Sequence, residues 1–311
     1  MPALAFETEC RSDQQIAADF LSYLQSDSSD LVAYEVEPTR LTGGFDARIY
    51  RYKLIDHEPR VLRILRPEHD VEELLYLQVV HQILNQHGLK TPVIHRVCGD
   101  QSVLGGVFAE MDLVPGQPLI EQKSEVCTSI LGESMAAMHG LDVRPIVEAI
   151  RRSGVPYERF LSPAIHQKGL DLAEQKIPWA SDLIGWLRDH FPLDGQDLAV
   201  IHGDYHGRNV MFENGSISGV LDWGFCISDP AIDLARTMNI HLVLSRQIDP
   251  AMSHQFLVQT MDEVLKAYQA IRPLNHERIK ACRVADIFRF LVGSAAGVGP
   301  EFIRKPESQR D

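Results

Sequence analysis

Residues 200–224 read VIHGDYHGRNVMFENGSISGVLDWG. His202, Asp204, Asn209 and Asp222 can each move a proton or hold a cation, and all four fall within the 21 residues 202–222. Two chemistries suit them. His202, Asp204 and His206 stand at alternate positions, which on a strand would share one face and could ligate zinc for a metal-dependent hydrolase. Gly203 and Gly207 favour a loop instead, and Asn209 has no part in that scheme. Phosphoryl transfer uses the residues more fully. It needs a carboxylate at the acceptor hydroxyl, a divalent cation among the phosphates, and backbone or cationic groups around them. Magnesium takes hard oxygen ligands, few of them from protein. Asn209 and Asp222 supply such oxygens, which leaves Asp204 to orient and deprotonate a hydroxyl. Upstream, LTGGFDARIY and RVLRIL place a Gly43–Gly44 turn and then a cation, Arg63, in the order this reaction requires.

The elements around these residues fall into two groups. Residues 10–25 carry Ile16, Phe20, Tyr23 and Leu24 at helical spacing behind Ser12, a suitable N-cap. LVAYEVEPTRLT, ARIYRYKLI and PRVLRIL alternate between turn residues and predict an antiparallel meander. DVEELLYLQVVHQILNQHG predicts an amphipathic helix closed by Gly88. PVIHRVCGD and GGVFAEMDL add two strands. From Leu119 the pattern is mainly helical, interrupted by LAVIH and ISGVLDW, two short strands joined through MFENGS. LVPGQP, residues 113–118, breaks both periodicities and marks a hinge. The expected domains are therefore 1–114, with its N-terminal helix, and 115–311.

HGDYHGRN followed by LDWG resembles the catalytic and metal-binding segments of the aminoglycoside phosphotransferase and choline kinase group, in which H-G-D-x-x-x-x-N stands where protein kinases have H-R-D-x-x-x-x-N. SDPAIDLAR, residues 228–236, resembles the segment that follows in that group. The resemblance spans roughly residues 35–240. It implies an α+β, two-lobed protein-kinase-like fold: a small antiparallel β lobe for nucleotide and a larger, mainly helical lobe for catalysis and acceptor. Asp204 becomes the catalytic base, and Asn209 and Asp222 the Mg2+ ligands. His202 becomes a loop residue bonded to neighbouring backbone, while Asp229 and Asp233 hold the loop and start a helix. Gly43 and Gly44 would cover phosphates. Arg63 takes the place of a lysine, which is a departure, because a guanidinium is a planar fork. Its partner is Glu72 or Glu73, of which Glu73 is preferred. Backbone groups near Asp112 and Val114 would bond the base of ATP, with GTP as the other nucleotide. The implied reaction moves the γ-phosphoryl group to an alcohol of a small molecule. A non-catalytic nucleotide-binding protein of the same fold is the alternative.

Composition narrows the partners. The 311 residues carry a formal net charge of −13, which disfavours nucleic acid. No apolar run is long enough to span a bilayer, and MPALAFETEC lacks the form of a leader. Five scattered cysteines without a CxxC pair suit a reduced, cytoplasmic protein, monomeric or homodimeric. Acceptor specificity is expected in residues 119–195 and the C-terminal helices.

Overall fold

The computed structural model describes residues 11–27, 32–41, 47–156, 170–171, 173–175, 177–191, 197–245 and 252–295. Its contacts divide the chain into two units, Met1–Pro115 and Gly116–Asp311.

In the first unit, helix α1 (Asp13–Ser26) starts where Ser12 Oγ accepts the Gln15 N–H at 3.1 Å. Satisfying one of the orphan donors of the first turn in this way stabilises a helix by about 1 kcal/mol. Ile16, Phe20 and Leu24, four residues apart, form its buried stripe. Strands β1 (Tyr34–Leu41), β2 (Ala47–Leu54) and β3 (Arg60–Leu65) precede helix α2 (Val71–Gln86). Then come β4 (Ile94–Cys98), the short helix α3 (Gln101–Leu104) and β5 (Phe108–Asp112). The sheet runs β1-β2-β3-β5-β4, with every neighbouring pair antiparallel.

Alternation along β2 and β3 splits the core in two. Tyr50, Tyr52, Leu62 and Ile64 pack with Phe20 and Phe108 on the α1 face, where Phe20 meets the edge of Tyr52 at 5.2 Å. Val61, Leu65 and Met111 pack with Leu74 and Ile94 on the α2 face. The predicted meander and both flanking helices stand. Gly88, at φ +86°, follows the last cap residue, His87, in the left-handed conformation that glycine adopts without strain.

The second unit opens with β6 (Gln117–Pro118), so the last two residues of the expected hinge segment form a strand paired with Met211 and Phe212. Helices α4 (Ser124–His139), α5 (Val143–Arg152) and α6 (Ser181–His190) follow. Next come β7 (Ala199–Ile201), β8 (Val210–Glu213), β9 (Ser216–Val220) and β10 (Cys226–Ser228). Helices α7 (Ala231–Asn239), α8 (His254–Gln269) and α9 (His276–Ala295) complete it. LAVIH and ISGVLDW are the strands expected here, but the described residues of this unit hold five, β6–β10. MFE is itself β8, turned into β9 by Asn214 and Gly215 at φ +49° and +82°. Both angles lie in the region that an Asn-Gly hairpin turn requires. The two-stranded β7–β10 ribbon and the β6–β8–β9 sheet thus hold the ends of two loops, 202–209 and 221–225. No helix among the described residues is long and apolar enough to cross a membrane.

α4 and α8 lie close enough that Gly132 meets backbone. A Cβ built there would stand 2.3 Å from the Val264 carbonyl oxygen and 2.8 Å from Ala267 Cβ. Overpacking of this kind costs roughly 1–3 kcal/mol. Gly132→Ala should therefore lower the urea midpoint despite the better helix propensity of alanine. An unchanged or raised midpoint would mean that the two helices separate at no cost.

Candidate active site

The loop after β7 is organised by His202, which is fully buried. Its Nδ1 accepts the Asp204 N–H at 3.1 Å, and its Nε2 donates to the Leu221 carbonyl at 2.9 Å. Gly224 N–H closes back on the His202 carbonyl at 2.9 Å. The Trp223 ring lies 4.6 Å from the imidazole. One side chain therefore joins both loops. Both ring nitrogens are occupied, so His202 keeps no lone pair for a cation. The zinc reading of His202, Asp204 and His206 fails on that bonding. Among the described residues, no three His, Cys, Asp or Glu side chains are grouped to hold a metal.

Burial pushes the His202 pKa down, against the nearby charge of Asp233 and the bond to Leu221. Its folded value lies below the unfolded value, so the unfolded chain binds the proton first. The stability this supplies is present above the unfolded pKa, near 6.5, and is lost as pH falls below it. The urea midpoint should drop between about pH 7 and about pH 5.5, and drop less in His202→Asn. Equal slopes in the two chains would remove His202 as the source.

Asp204 is held asymmetrically. Its Oδ2 lies 3.3 Å from His206 Nε2 and 3.3 Å from Asn209 Nδ2. Asn209 Nδ2 also donates to the Asp204 carbonyl at 3.0 Å. Oδ1 is buried without a hydrogen-bond partner, with Arg236 Nε 3.4 Å away. Burial works against the charge, but the His206 bond and the charges of His206 and Arg236 outweigh it and keep the carboxyl below its usual range. Asp204 is therefore ionised at neutral pH.

Asn209 N–H donates to the His206 carbonyl, and the Asn209 carbonyl accepts from Leu221 N–H at 2.7 Å. This fixes Asn209 beside the residue that precedes Asp222. With Nδ2 turned to Asp204, the amide oxygen Oδ1 is the atom offered to a cation. Asp222 is exposed and sits at φ +59°. The left-handed conformation costs a non-glycine residue about 1–2 kcal/mol. The bonds of Leu221 to Asn209 and His202, with that of Gly224, impose it from both sides.

Asp233, fully buried on α7, supports the loop from beneath. It accepts the His202 N–H at 2.8 Å and the Gly203 N–H at 2.7 Å. Its Oδ2 also faces His139 Nε2 at 3.2 Å, and His139 Nδ1 lies 2.9 Å from the Tyr268 hydroxyl. Gly203 is at φ +89°, and a Cβ there would stand 3.0 Å from the Gly224 carbonyl oxygen. Asp229 accepts the Ala231 N–H at 2.9 Å and pairs with Arg278. The structural roles read for His202, Asp229 and Asp233 are the observed ones. His139, Tyr268 and Arg236 escaped the sequence reading. Only Arg236 left a trace there, three residues after Asp233 on one helix face.

In the first unit the expected nucleotide residues fare unevenly. Gly43 and Gly44 lie outside the described residues. Arg63 is half-buried on β3, opposite Ala109, on the α2 face between Val61 and Leu65. Glu73 bonds His69 Nδ1 at 2.9 Å, four residues back. Glu72 accepts from the Tyr76 hydroxyl at 3.2 Å. The Asp112 N–H donates to the Val93 carbonyl, and its carboxylate takes the Val93 N–H and His95 Nε2. That N–H is therefore committed and cannot also serve a base. The Val114 N–H, just past β5, has no backbone acceptor among the described residues.

With this geometry in hand, the likeness to known proteins is specific. A family described as "Phosphotransferase enzyme family" matches residues 37–274. Acyl-CoA dehydrogenase family member 11 of Gallus gallus is 27% identical over 166 residues, 50% of this chain and 21% of that protein. The probable acyl-CoA dehydrogenase IBR3 of Arabidopsis thaliana is 23% identical over 224 residues, 66% of this chain and 27% of that protein. The chain thus spans about a fifth to a quarter of the length of these curated relatives. Among solved structures, macrolide 2'-phosphotransferase type I superposes with a TM-score of 0.63 at 17% identity, covering 92% of this chain and 94% of that one. Aminoglycoside-3'-phosphotransferase of type VIII gives 0.59 at 20% identity, covering 88% and 99%. An amicoumacin kinase in complex with AMP-PNP and Ca2+ gives 0.57 at 15% identity, covering 91% and 87%. At such identities the likeness is one of fold, the α+β fold of these kinases.

Proposed function

The chain belongs to the phosphotransferase enzyme family, and we propose that it moves the γ-phosphoryl group of ATP, with Mg2+, to a hydroxyl of a small molecule. The observation that carries this reading is the setting of Asp204. Oδ2 is held by His206 and Asn209, while Oδ1 is buried 3.4 Å from Arg236 Nε. The carboxylate is thus kept ionised and held at both oxygens. Asp204 would accept the proton of the attacking hydroxyl, and the fixed carboxylate would hold that hydroxyl's oxygen in line.

The donor set supports magnesium. The Asn209 amide oxygen and the Asp222 carboxylate are hard ligands, few in number as this ion prefers. Magnesium bound by these two residues would neutralise phosphate charge. We assign the remaining nucleotide roles in the first unit to Arg63, to Gly43 and Gly44, and to the Val114 backbone. GTP is the other nucleotide to be tried.

The acceptor panel follows from the relatives' names. It holds an aminoglycoside, a macrolide, spectinomycin and, because two relatives are named acyl-CoA dehydrogenases, a hydroxyacyl-coenzyme A. An ADP-release assay over this panel, with and without Mg2+, tests the proposal. The expected result is Mg2+-dependent ADP formation that requires one class of acceptor. Nucleotide binding with no ADP over the whole panel would make the chain a non-catalytic member of its family.

A further inference from the structure

We propose that His206 is a positioning residue for Asp204: it donates from Nε2 to Oδ2 and so fixes the carboxylate that would take the acceptor's proton. The inference rests on the phosphotransferase reading above and adds to it a residue that neither metal binding nor proton abstraction requires.

The tautomer of His206 follows from its own loop. Arg208 N–H donates to His206 Nδ1 at 3.2 Å. In the neutral ring the proton therefore sits on Nε2, the nitrogen 3.3 Å from Asp204 Oδ2. With Nδ1 filled and Nε2 carrying hydrogen, His206 can neither ligate a cation nor take up the acceptor's proton as it stands. Donation to Asp204 is what remains.

A carboxylate needs such a donor because its terminal torsion is broad and two-fold, so that its oxygens interchange readily. Asn209 Nδ2 also reaches Oδ2, but that amide has a second bond to the Asp204 carbonyl and an oxygen assigned to the cation. His206 is the donor with no other duty at Nε2. Its ring is also anchored. Ile120 N–H donates to the Gly207 carbonyl at 2.9 Å, and a Cβ at Gly207 would stand 3.2 Å from Ile120 Cβ. The turn that carries His206 is thus fixed against the chain that precedes α4.

Two measurements test this. The first needs no turnover: long-range proton–nitrogen NMR of the whole free chain, at a pH where the ring is neutral. Hydrogen on Nε2 is expected; hydrogen on Nδ1 would overturn the donor role. The second uses the acceptor of the panel above that turns over fastest. His206→Leu should lower kcat about tenfold to a hundredfold while KM for ATP stays within about twofold, because misdirected reacting groups lose rate and not binding. His206→Gln, which can place an N–H near the position of Nε2, should recover to within about threefold of the parent. Parental kcat in the leucine variant, or a glutamine variant no better than leucine, would overturn the proposal. Should His206→Leu fail to fold, the tautomer and the glutamine variant still decide. A parent chain that yields no ADP with any acceptor removes the phosphotransferase reading itself. That failure is visible before any variant is made, and it removes the inference too.

Discussion

Asp204→Asn is expected to lower turnover by about a hundredfold to ten-thousandfold, the range a positioned general base contributes, with affinity for Mg2+ and ATP nearly unchanged. The amide is isosteric, so His206 and Asn209 still find an oxygen at the position of Oδ2. What is lost is the carboxylate's charge and the basic lone pair that would take the proton. Binding should survive because the residues assigned to metal and nucleotide lie elsewhere in the chain. The check is a comparison of kcat with nucleotide affinity in one variant. Loss of both together would mean that Asp204 holds the metal and that the base is another group. Full kcat would mean that no base is needed at this position.

The second large effect concerns stability. Asp233→Ala removes a fully buried carboxylate that accepts two backbone N–H groups and faces His139. Each donor left in the interior without a partner costs about 1–3 kcal/mol, and the His202 and Gly203 N–H groups lose theirs together. Domains of ordinary stability have about 5–15 kcal/mol in total. The variant should therefore lose most of its urea resistance, and Asp233→Asn should regain part of it through the one oxygen it keeps. A loss below about 1 kcal/mol in the alanine variant would contradict a load at this position, since a single lost hydrogen bond to a charged group is already worth more.

Legibility followed sequence distance. Helix α1 and its Ser12 cap, the β1–β3 meander and α2 are fixed by neighbours within a few residues, and all could be read directly. The acid, the amide and the second acid of the candidate site could be singled out because Asp204, Asn209 and Asp222 lie close in sequence. Their support could not. His139 stands 94 residues from Asp233 and 129 from Tyr268, and in AMHGL it looks like any histidine ending a helix. The left-handed backbone of Asp222 arises from bonds made by Leu221 and Gly224, not from any preference of its own. β7 and β8 escaped correct pairing because strands of three and four residues carry almost no alternation. The Asn214–Gly215 turn was the local signal that could have found β8.

The proposed magnesium-dependent nucleotide site on Asn209 and Asp222 is open to calorimetric titration of ATP into the whole chain, with and without Mg2+, and into Asp222→Ala. Binding should require Mg2+ in the parent chain and be lost in Asp222→Ala, with the melting temperature of the free variant close to that of the parent. Binding of ATP that ignores Mg2+, or that survives unchanged in Asp222→Ala, would contradict it.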